Sequence, residues 1–275
     1  MSLSDKLEIV NLSDTGRRRP HNEDSTLSDL EQGLVVLADG MGGYKAGEVA
    51  SAIAVTSTHK DILTGLKNIK PGQVDKNTGL HAESDIVKNA VIIANSNIYG
   101  SAQADPECQG MGTTIVVALF HAGIVTIAHV GDSRLYRKRA NNFEQITKDH
   151  SLIQELIDRG LYTPEEAHAK TPKNLVTRAL GIEDKVEVDV MEVAVEAGDI
   201  FLLCSDGLND MVDDEEIHLT LSKYSVNLGE AGQALVDLAN AKGGKDNISV
   251  VLIRALEGIN SSSGGFVKQL INRFR

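Results

Sequence analysis

The sequence predicts an α+β fold. Three observations carry that reading. Short apolar, β-branched runs come in neighbouring pairs that look antiparallel. Helical segments stand between those groups and do not alternate with single strands, which argues against a doubly wound parallel sheet. Four of the apolar runs meet an aspartate at one end.

Residues 33–39, GLVVLAD, form a continuous apolar run of strand length. Residues 46–63 follow with Val49, Ala50, Ile53, Ala54 and Ser57 at helical spacing, and 83–99 repeat the pattern with Ile86, Val87, Ala90, Val91, Ala94 and Ile98. The segment between them, 65–79, is rich in Gly, Pro and Asn and reads as a connection. Two β-branched runs then flank His121-Ala122-Gly123, a hairpin signature. A turn at Gly131-Asp132-Ser133 leads into a strand at 134–138. Ser151 with Gln154 predicts a capping box closed by Gly160, and Thr163-Pro164 with Glu166 predicts a second. Val186, Val188 and Val190 alternate with Glu187 and Asp189, as in a half-exposed strand. Residues 199–206 and 247–254 read as strands, and 213–221 and 230–241 as helices.

The 275 residues suit one large domain or two small ones. No repeat or long internal linker divides the chain, so residues 1–257 read as one domain and 258–275 as a separate linker and tail. With 27 basic and 39 acidic side chains the net charge is −12, which argues against general nucleic-acid binding. Cys108 and Cys204 stand far apart in apolar or small-residue company and read as reduced thiols. The chain shows neither an apolar run of membrane-span length nor a leader, so a cytoplasmic location is expected.

The stretch VVLADGMGG raises the central question. A turn, a phosphate loop or a metal site would each explain an apolar strand that ends in Asp-Gly. The glycine spacing 42–47 fits a phosphate loop, but Glu48 occupies the place of the required lysine and would repel phosphate. Asp39, Asp132, Asp206 and Asp246 each lie at the end of an apolar run, and Glu23 and Asp24 form a further acidic pair. If the strands lie side by side, these carboxylates converge, at high electrostatic cost unless a cation compensates them. An all-oxygen donor set suits Mg²⁺ or Mn²⁺ and disfavours Zn²⁺. In that reading Gly40 lets its own carbonyl reach the ion, and Gly42 and Gly43 keep the rim low.

The ordered set TGRRRPHNEDS, VVLADGMGG, GMGTTIVVALF, IAHVGDSRLY, ITKDHS, LVTRALG, FLLCSDGLNDMV and GGKDNISVVLI resembles the bacterial metal-dependent Ser/Thr protein phosphatases of type 2C. The resemblance covers roughly residues 12–254. It implies two antiparallel β-sheets packed as a sandwich, with helices on both outer faces and a binuclear metal centre at one end. It implies that Asp39 bridges two ions, that the Gly40 carbonyl binds one, and that Asp206 and Asp246 complete the first shell. Glu23 and Asp24 would hold waters around the second ion, and Asp132 with Asp206 a third, weaker one. Arg19, five residues before Asp24, fills the phosphate-binding position; Arg17 and Arg18 do not match it. Residues 148–181 look like the family's flap, in which His150 and Arg178 are the candidate substrate-binding groups.

The implied chemistry is attack on phosphorus by a hydroxide held between the metals, with the metals and Arg19 absorbing charge on the phosphoryl oxygens. Arg19, Asp39 and Asp206 are the candidate catalytic residues. Some family members carry His after the bridging Asp-Gly as a general acid; this chain has Met41 there. The expected activity is removal of phosphate from phosphoserine and phosphothreonine in proteins, opposing a bacterial Ser/Thr kinase. A regulatory or binding module of the same fold and a small-phosphoester phosphatase are the alternatives. A monomer is expected. In the tail, Phe266, Val267, Leu270, Ile271 and Phe274 fall on one helical face beside Lys268, Arg273 and Arg275. Residues 266–275 therefore read as a contact for the chain's own flank, a partner protein or an anionic membrane.

Overall fold

The computed structural model describes residues 3–42, 46–75, 78–172 and 175–256. The tail at 266–275 lies outside the described residues, as does Gly43.

The elements run β1 (Leu7–Asp14), β2 (Asp24–Asp29), β3 (Leu34–Met41), α1 (Ala46–Leu66), α2 (Ala82–Ala104), β4 (Gly112–Thr113), β5 (Ile115–His121), β6 (Ile124–Val130), β7 (Arg134–Arg139), β8 (Asn142–Gln145), α3 (Leu152–Asp158), α4 (Pro164–Lys170), β9 (Asp189–Ala194), β10 (Ile200–Cys204), α5 (Asp206–Asn209), α6 (Asp214–Lys223), α7 (Leu228–Ala241) and β11 (Ile248–Ala255). One sheet has the order β1-β11-β10-β7-β8; the other has β2-β3-β5-β6-β9, with β4 paired to the end of β3. Every pairing is antiparallel.

Three apolar layers hold the sandwich together. Between the sheets lie Leu37, Val116, Phe120, Phe201 and Val251, with the rings of Phe120 and Phe201 edge to face at 5.3 Å. The opposite face of the β3 sheet meets α1 and α2 through Val36, Ile115, Ala54, Val91 and Ile98. The β10 sheet meets α6 and α7 through Leu202, Val250, Ile217 and Leu235. Both faces of the central strands are covered, so they read as unbroken apolar runs without a polar alternation. The α+β expectation and the implied helix–sheet–sheet–helix layering match this arrangement.

Local signals worked where the chain controls its own geometry. Ala122 (φ 47°) and Gly123 (φ 81°) both turn left-handed and close the β5–β6 hairpin. Thr163 and Glu166 form the full capping box behind Pro164. Ser151 caps α3 by accepting from the Gln154 amide, but the Gln154 side chain turns to Asp158, so that box is only half made. The strand expected at 186–190 is displaced: β9 begins at Asp189, opposite His129. Its partner β6 ends at Val130, opposite Val188, so residues before Val188 have no ladder to join. Strand β1 carries no continuous apolar run, because Glu8, Asn11 and Ser13 interrupt it.

Candidate metal centre

Strand β2 opens at Asp24 and strand β3 carries Asp39 near its end, and the two residues are register partners. The Asp39 backbone is tied on both sides: its N–H donates to Thr114 Oγ1 at 3.1 Å, and its carbonyl accepts from the Thr114 amide and Thr113 Oγ1. Asp24 is 9% exposed. Its Oδ2 accepts from Ser205 Oγ at 2.8 Å and Ser249 Oγ at 2.6 Å, while Oδ1 has no partner. Both serines come from the opposite sheet, at the ends of β10 and β11, so they fasten the two sheets together beneath the site.

Asp206 starts α5 directly after β10, and its Oδ1 is also buried without a partner. Gly207 must be glycine here, since a Cβ would lie 1.9 Å from the Asn247 carbonyl. Asp246 precedes β11; its Oδ1 accepts from the Asn247 amide and its Oδ2 from Arg19 at 2.6 Å. Asn247 then clasps the N-terminal loop, accepting from the Glu23 amide and donating to the carbonyls of Thr15 and His21. Asp132 sits in the β6–β7 turn beside Gly131, whose backbone is left-handed at φ 107°.

Packing requires glycine at position 40. A Cβ there would lie 2.1 Å from the Gly47 carbonyl and 2.6 Å from that of Glu23. A Cβ on Gly47 would meet Glu23 Oε1 at 2.8 Å. The pair of glycines thus lets the start of α1 lie against β3 and the Glu23 loop.

The electrostatics are those of charge crowding. Burial raises Asp39 and Asp206 well above the usual carboxylate range, and neighbouring aspartates add to the shift, Asp24 for Asp39 and Asp132 for Asp206. Burial also pushes Asp24 and Asp132 up to about 6, with Asp246 adding at Asp24 and Asp149 at Asp132. Glu23 is raised by burial, with Arg19 opposing. Such a cluster needs protons or cations. Its donors are all oxygens, and two carboxylate oxygens are buried with no partner, so the residues fit hard divalent cations. A cavity of about 290 Å³ adjoins the cluster on the Asp132 and Asp206 side, between α3 and the α5–α6 corner.

The two flap groups His150 and Arg178 have partners within the protein. The His150 ring is buried; Nδ1 accepts from the Gly131 amide at 3.0 Å, and Nε2 faces Asp189 at 3.4 Å. Burial, His129 and Arg178 lower its pKa to about 4. Arg178 binds Asp189 at 2.7 Å and the Glu187 carbonyl. His129, His150 and Asp189 place donor atoms within 4.8 Å of one another. The two rings, however, stack 14° from parallel at 4.7 Å, so their in-plane lone pairs do not converge, and the Arg178 guanidinium already supplies a cation there. In this structure His150 and Arg178 form a brace behind the Asp132 turn.

Arg19 is 46% exposed on its side chain and rests on Asp246. Sequence reading overlooked the supporting groups Thr113, Thr114, Ser205, Ser249, Gly47 and Asn247. Each is small or uncharged and acts through a contact made across the chain.

Comparison with known proteins agrees with this geometry. Residues 16–241 match the protein phosphatase 2C family. The serine/threonine phosphatase stp of Listeria welshimeri is 38% identical over 247 residues, covering 88% of this chain and 93% of that protein. The crystal structure of the Mycobacterium tuberculosis serine/threonine phosphatase PstP/Ppp superposes with a TM-score of 0.80 at 38% identity, covering 92% of this chain and 100% of that one. The catalytic domain of PstP in complex with two manganese ions gives 0.77 at 36% identity, covering 92% and 99%. The chain belongs to the protein phosphatase 2C family.

Proposed function

We propose that this chain is a metal-dependent protein serine/threonine phosphatase. The observation that carries the reading is the convergence of Asp24, Asp39, Asp206 and Asp246 from both sheets, with buried carboxylate oxygens left unpartnered. Asp39, Asp206, Asp246 and the Gly40 carbonyl would hold one Mg²⁺ or Mn²⁺, with Asp39 shared by a second that Glu23 and Asp24 approach. Asp132 and Asp206 would serve a third, weaker site.

Bound there, the cations supply Lewis acidity and an activated water. The chain's own groups do the rest. Ser205 and Ser249 fix the Asp24 carboxylate, and Thr113 and Thr114 fix Asp39, so the donors need not reorganise during turnover. Arg19 stands at the exposed rim, where it can exchange Asp246 for a phosphoryl group and hold it by a bidentate contact. A protein nucleophile is not needed. Ser205 already donates to Asp24, and burial pushes the Cys204 thiol up to about 12. His150 is neutral near pH 7 and committed to Gly131, and position 41 is Met, so protonation of the leaving group falls to solvent at the site.

Phosphorylated proteins are the substrate class, and an opposing Ser/Thr kinase the natural source of them. Residues 1–257 act as the catalytic domain, monomeric and cytoplasmic, while residues 266–275 make a contact with the chain's own flank, a partner or a membrane. Among the described residues no helix is long and apolar enough to cross a membrane. The test is turnover of phosphopeptides and of small phosphoesters in Mn²⁺, in Mg²⁺ and in chelator. The reading expects metal-dependent activity that favours phosphopeptides. A preference for metabolites would make it a small-phosphoester phosphatase, and inactivity in both metals a binding module.

A further inference from the structure

A second cluster of metal-binding side chains lies far from the carboxylates. His121 ends β5, seven residues beyond the Thr114 that anchors Asp39, so it occupies the opposite end of the same sheet. Around it stand His81 and Glu83 at the start of α2, and Glu192 on β9.

The hydrogen bonds fix which ring nitrogens carry protons. Burial alone would raise Glu192, but bonds from Ser84 and His81 outweigh it and hold the carboxyl below its usual range, so it only accepts. Ser84 Oγ donates to Glu192 Oε1 at 2.5 Å, which spends its one proton. Thr126 Oγ1, 2.7 Å from Ser84 Oγ, must therefore donate to Ser84. It can then only accept from His121 Nε2 at 2.8 Å. Neutral His121 thus carries its proton on Nε2, and Nδ1 is a bare lone pair. The same reasoning applies to His81, whose Nδ1 donates to Glu192 Oε2 at 2.9 Å and leaves Nε2 bare.

The bare His121 Nδ1 is buried with no hydrogen-bond partner and faces Glu83 Oε1 at 3.8 Å. Glu83 is 2% exposed, and its Oε2 is likewise buried and unpartnered. Glu83 Oε1 also accepts from the Gly72 amide at 2.8 Å, and a lone pair facing a buried carboxylate is repulsive until a proton or a metal ion stands between them. Tetrahedral zinc, with bonds of about 2.0–2.2 Å, spaces neighbouring donor atoms roughly 3.4 Å apart and two bound imidazole centres roughly 5 Å apart. The His81 and His121 rings lie 5.5 Å apart and 74° from parallel, close to that spacing and unlike the stacked pair of His129 and His150. Each histidine also donates its other nitrogen to a fixed acceptor, the arrangement that orients metal-bound imidazoles.

We propose that Glu83, His121 and His81 form a binding site for a divalent transition metal of the zinc class, which clips the start of α2 to the β5–β6 hairpin. Glu83 and His121 already face each other at 3.8 Å; the three donor atoms are not within 4.8 Å of one another in this structure, so His81, with 23% of its side chain exposed, must swing toward them to close the site. The donors are two imidazoles and one carboxylate, so the site selects zinc over the Mg²⁺ or Mn²⁺ suited to the oxygen cluster.

The test is equilibrium dialysis of the full chain against Zn²⁺ in excess Mg²⁺, with metal content measured for the wild type, Glu83→Gln, His121→Asn and His81→Asn. The wild type should hold one more zinc equivalent than Glu83→Gln or His121→Asn, and His81→Asn should bind it at least tenfold more weakly. Long-range ¹⁵N–¹H spectra should shift the rings of both His81 and His121 on adding Zn²⁺. Phosphopeptide turnover of His81→Asn in Mn²⁺ should match the wild type. Equal zinc content in all four proteins overturns the proposal. If His121→Asn does not fold, histidine resonances unmoved by saturating Zn²⁺ overturn it just as well.

Discussion

Asp24 and Asp39 stand directly opposite each other on neighbouring antiparallel strands, the first buried and the second half-buried. Like charges in facing positions destabilise a sheet, and burial sharpens the cost. The pairing therefore stores a repulsion that only protons or cations relieve.

Replacing Asp39 with Asn should separate stability from activity. In chelator the variant should unfold at higher denaturant than the wild type, because one of the facing charges is gone. In Mn²⁺ its turnover should fall by roughly 100-fold or more, the scale of losing one preorganised charge-stabilising group. Wild-type rates in Mn²⁺ would refute the assignment of Asp39 as a metal ligand.

The same crowding sets a pH dependence with a defined sign. Asp24 and Asp132 titrate at about 6 in the folded protein, above their ordinary carboxylate value of 3.8. A raised folded pKa means that the folded state binds more protons over that window. Its stabilising contribution is complete below pH 3.8 and is lost as pH rises through 6. Metal-free protein should thus gain stability between pH 7 and pH 5, while added Mn²⁺ should stabilise more at pH 7 than at pH 5. Denaturation midpoints with and without chelator at both pH values check this.

Arg19→Ala should raise KM for phosphopeptides and leave metal content unchanged. A charge-assisted contact is worth about 1.5–3 kcal/mol; the exposure of Arg19 and its competing bond to Asp246 place the loss at the low end, near tenfold. Arg17→Ala and Arg18→Ala serve as controls. Equal losses in all three would mean that Arg19 holds no special position.

His150→Ala should leave the Gly131 amide buried without an acceptor, at a cost on the order of 1–3 kcal/mol, and loosen the turn that carries Asp132. His150→Asn, whose side-chain oxygen can take the place of Nδ1, should recover much of the stability and turnover. If the two variants behave alike, the brace does not act through Gly131.

Met41→His places a titratable group directly after the Asp-Gly of β3. Across a series of aryl phosphates, the wild-type rate should depend more steeply on leaving-group pKa than the variant rate. Identical slopes would show that position 41 takes no part in leaving-group protonation.

How much was legible in the sequence depended on the range of the interaction. Strand β3, helices α1 and α2 and the β5–β6 hairpin could be read directly, because apolar periodicity and turn residues act over a few neighbours. The carboxylates Asp39, Asp132, Asp206 and Asp246 were visible for the same reason: each ends a run that is itself conspicuous. Register decided the rest. Asp24 faces Asp39 only because β2 pairs with β3 in one alignment, and Ser205 and Ser249 reach Asp24 only because the second sheet packs behind it. His150 finds Gly131 only through the fold, and His121 and Glu83 meet only where β5 ends against the start of α2. A side chain's chemistry is written in the sequence, but its partner is chosen by packing between residues as far apart as Asp24 and Ser249, 225 positions from each other.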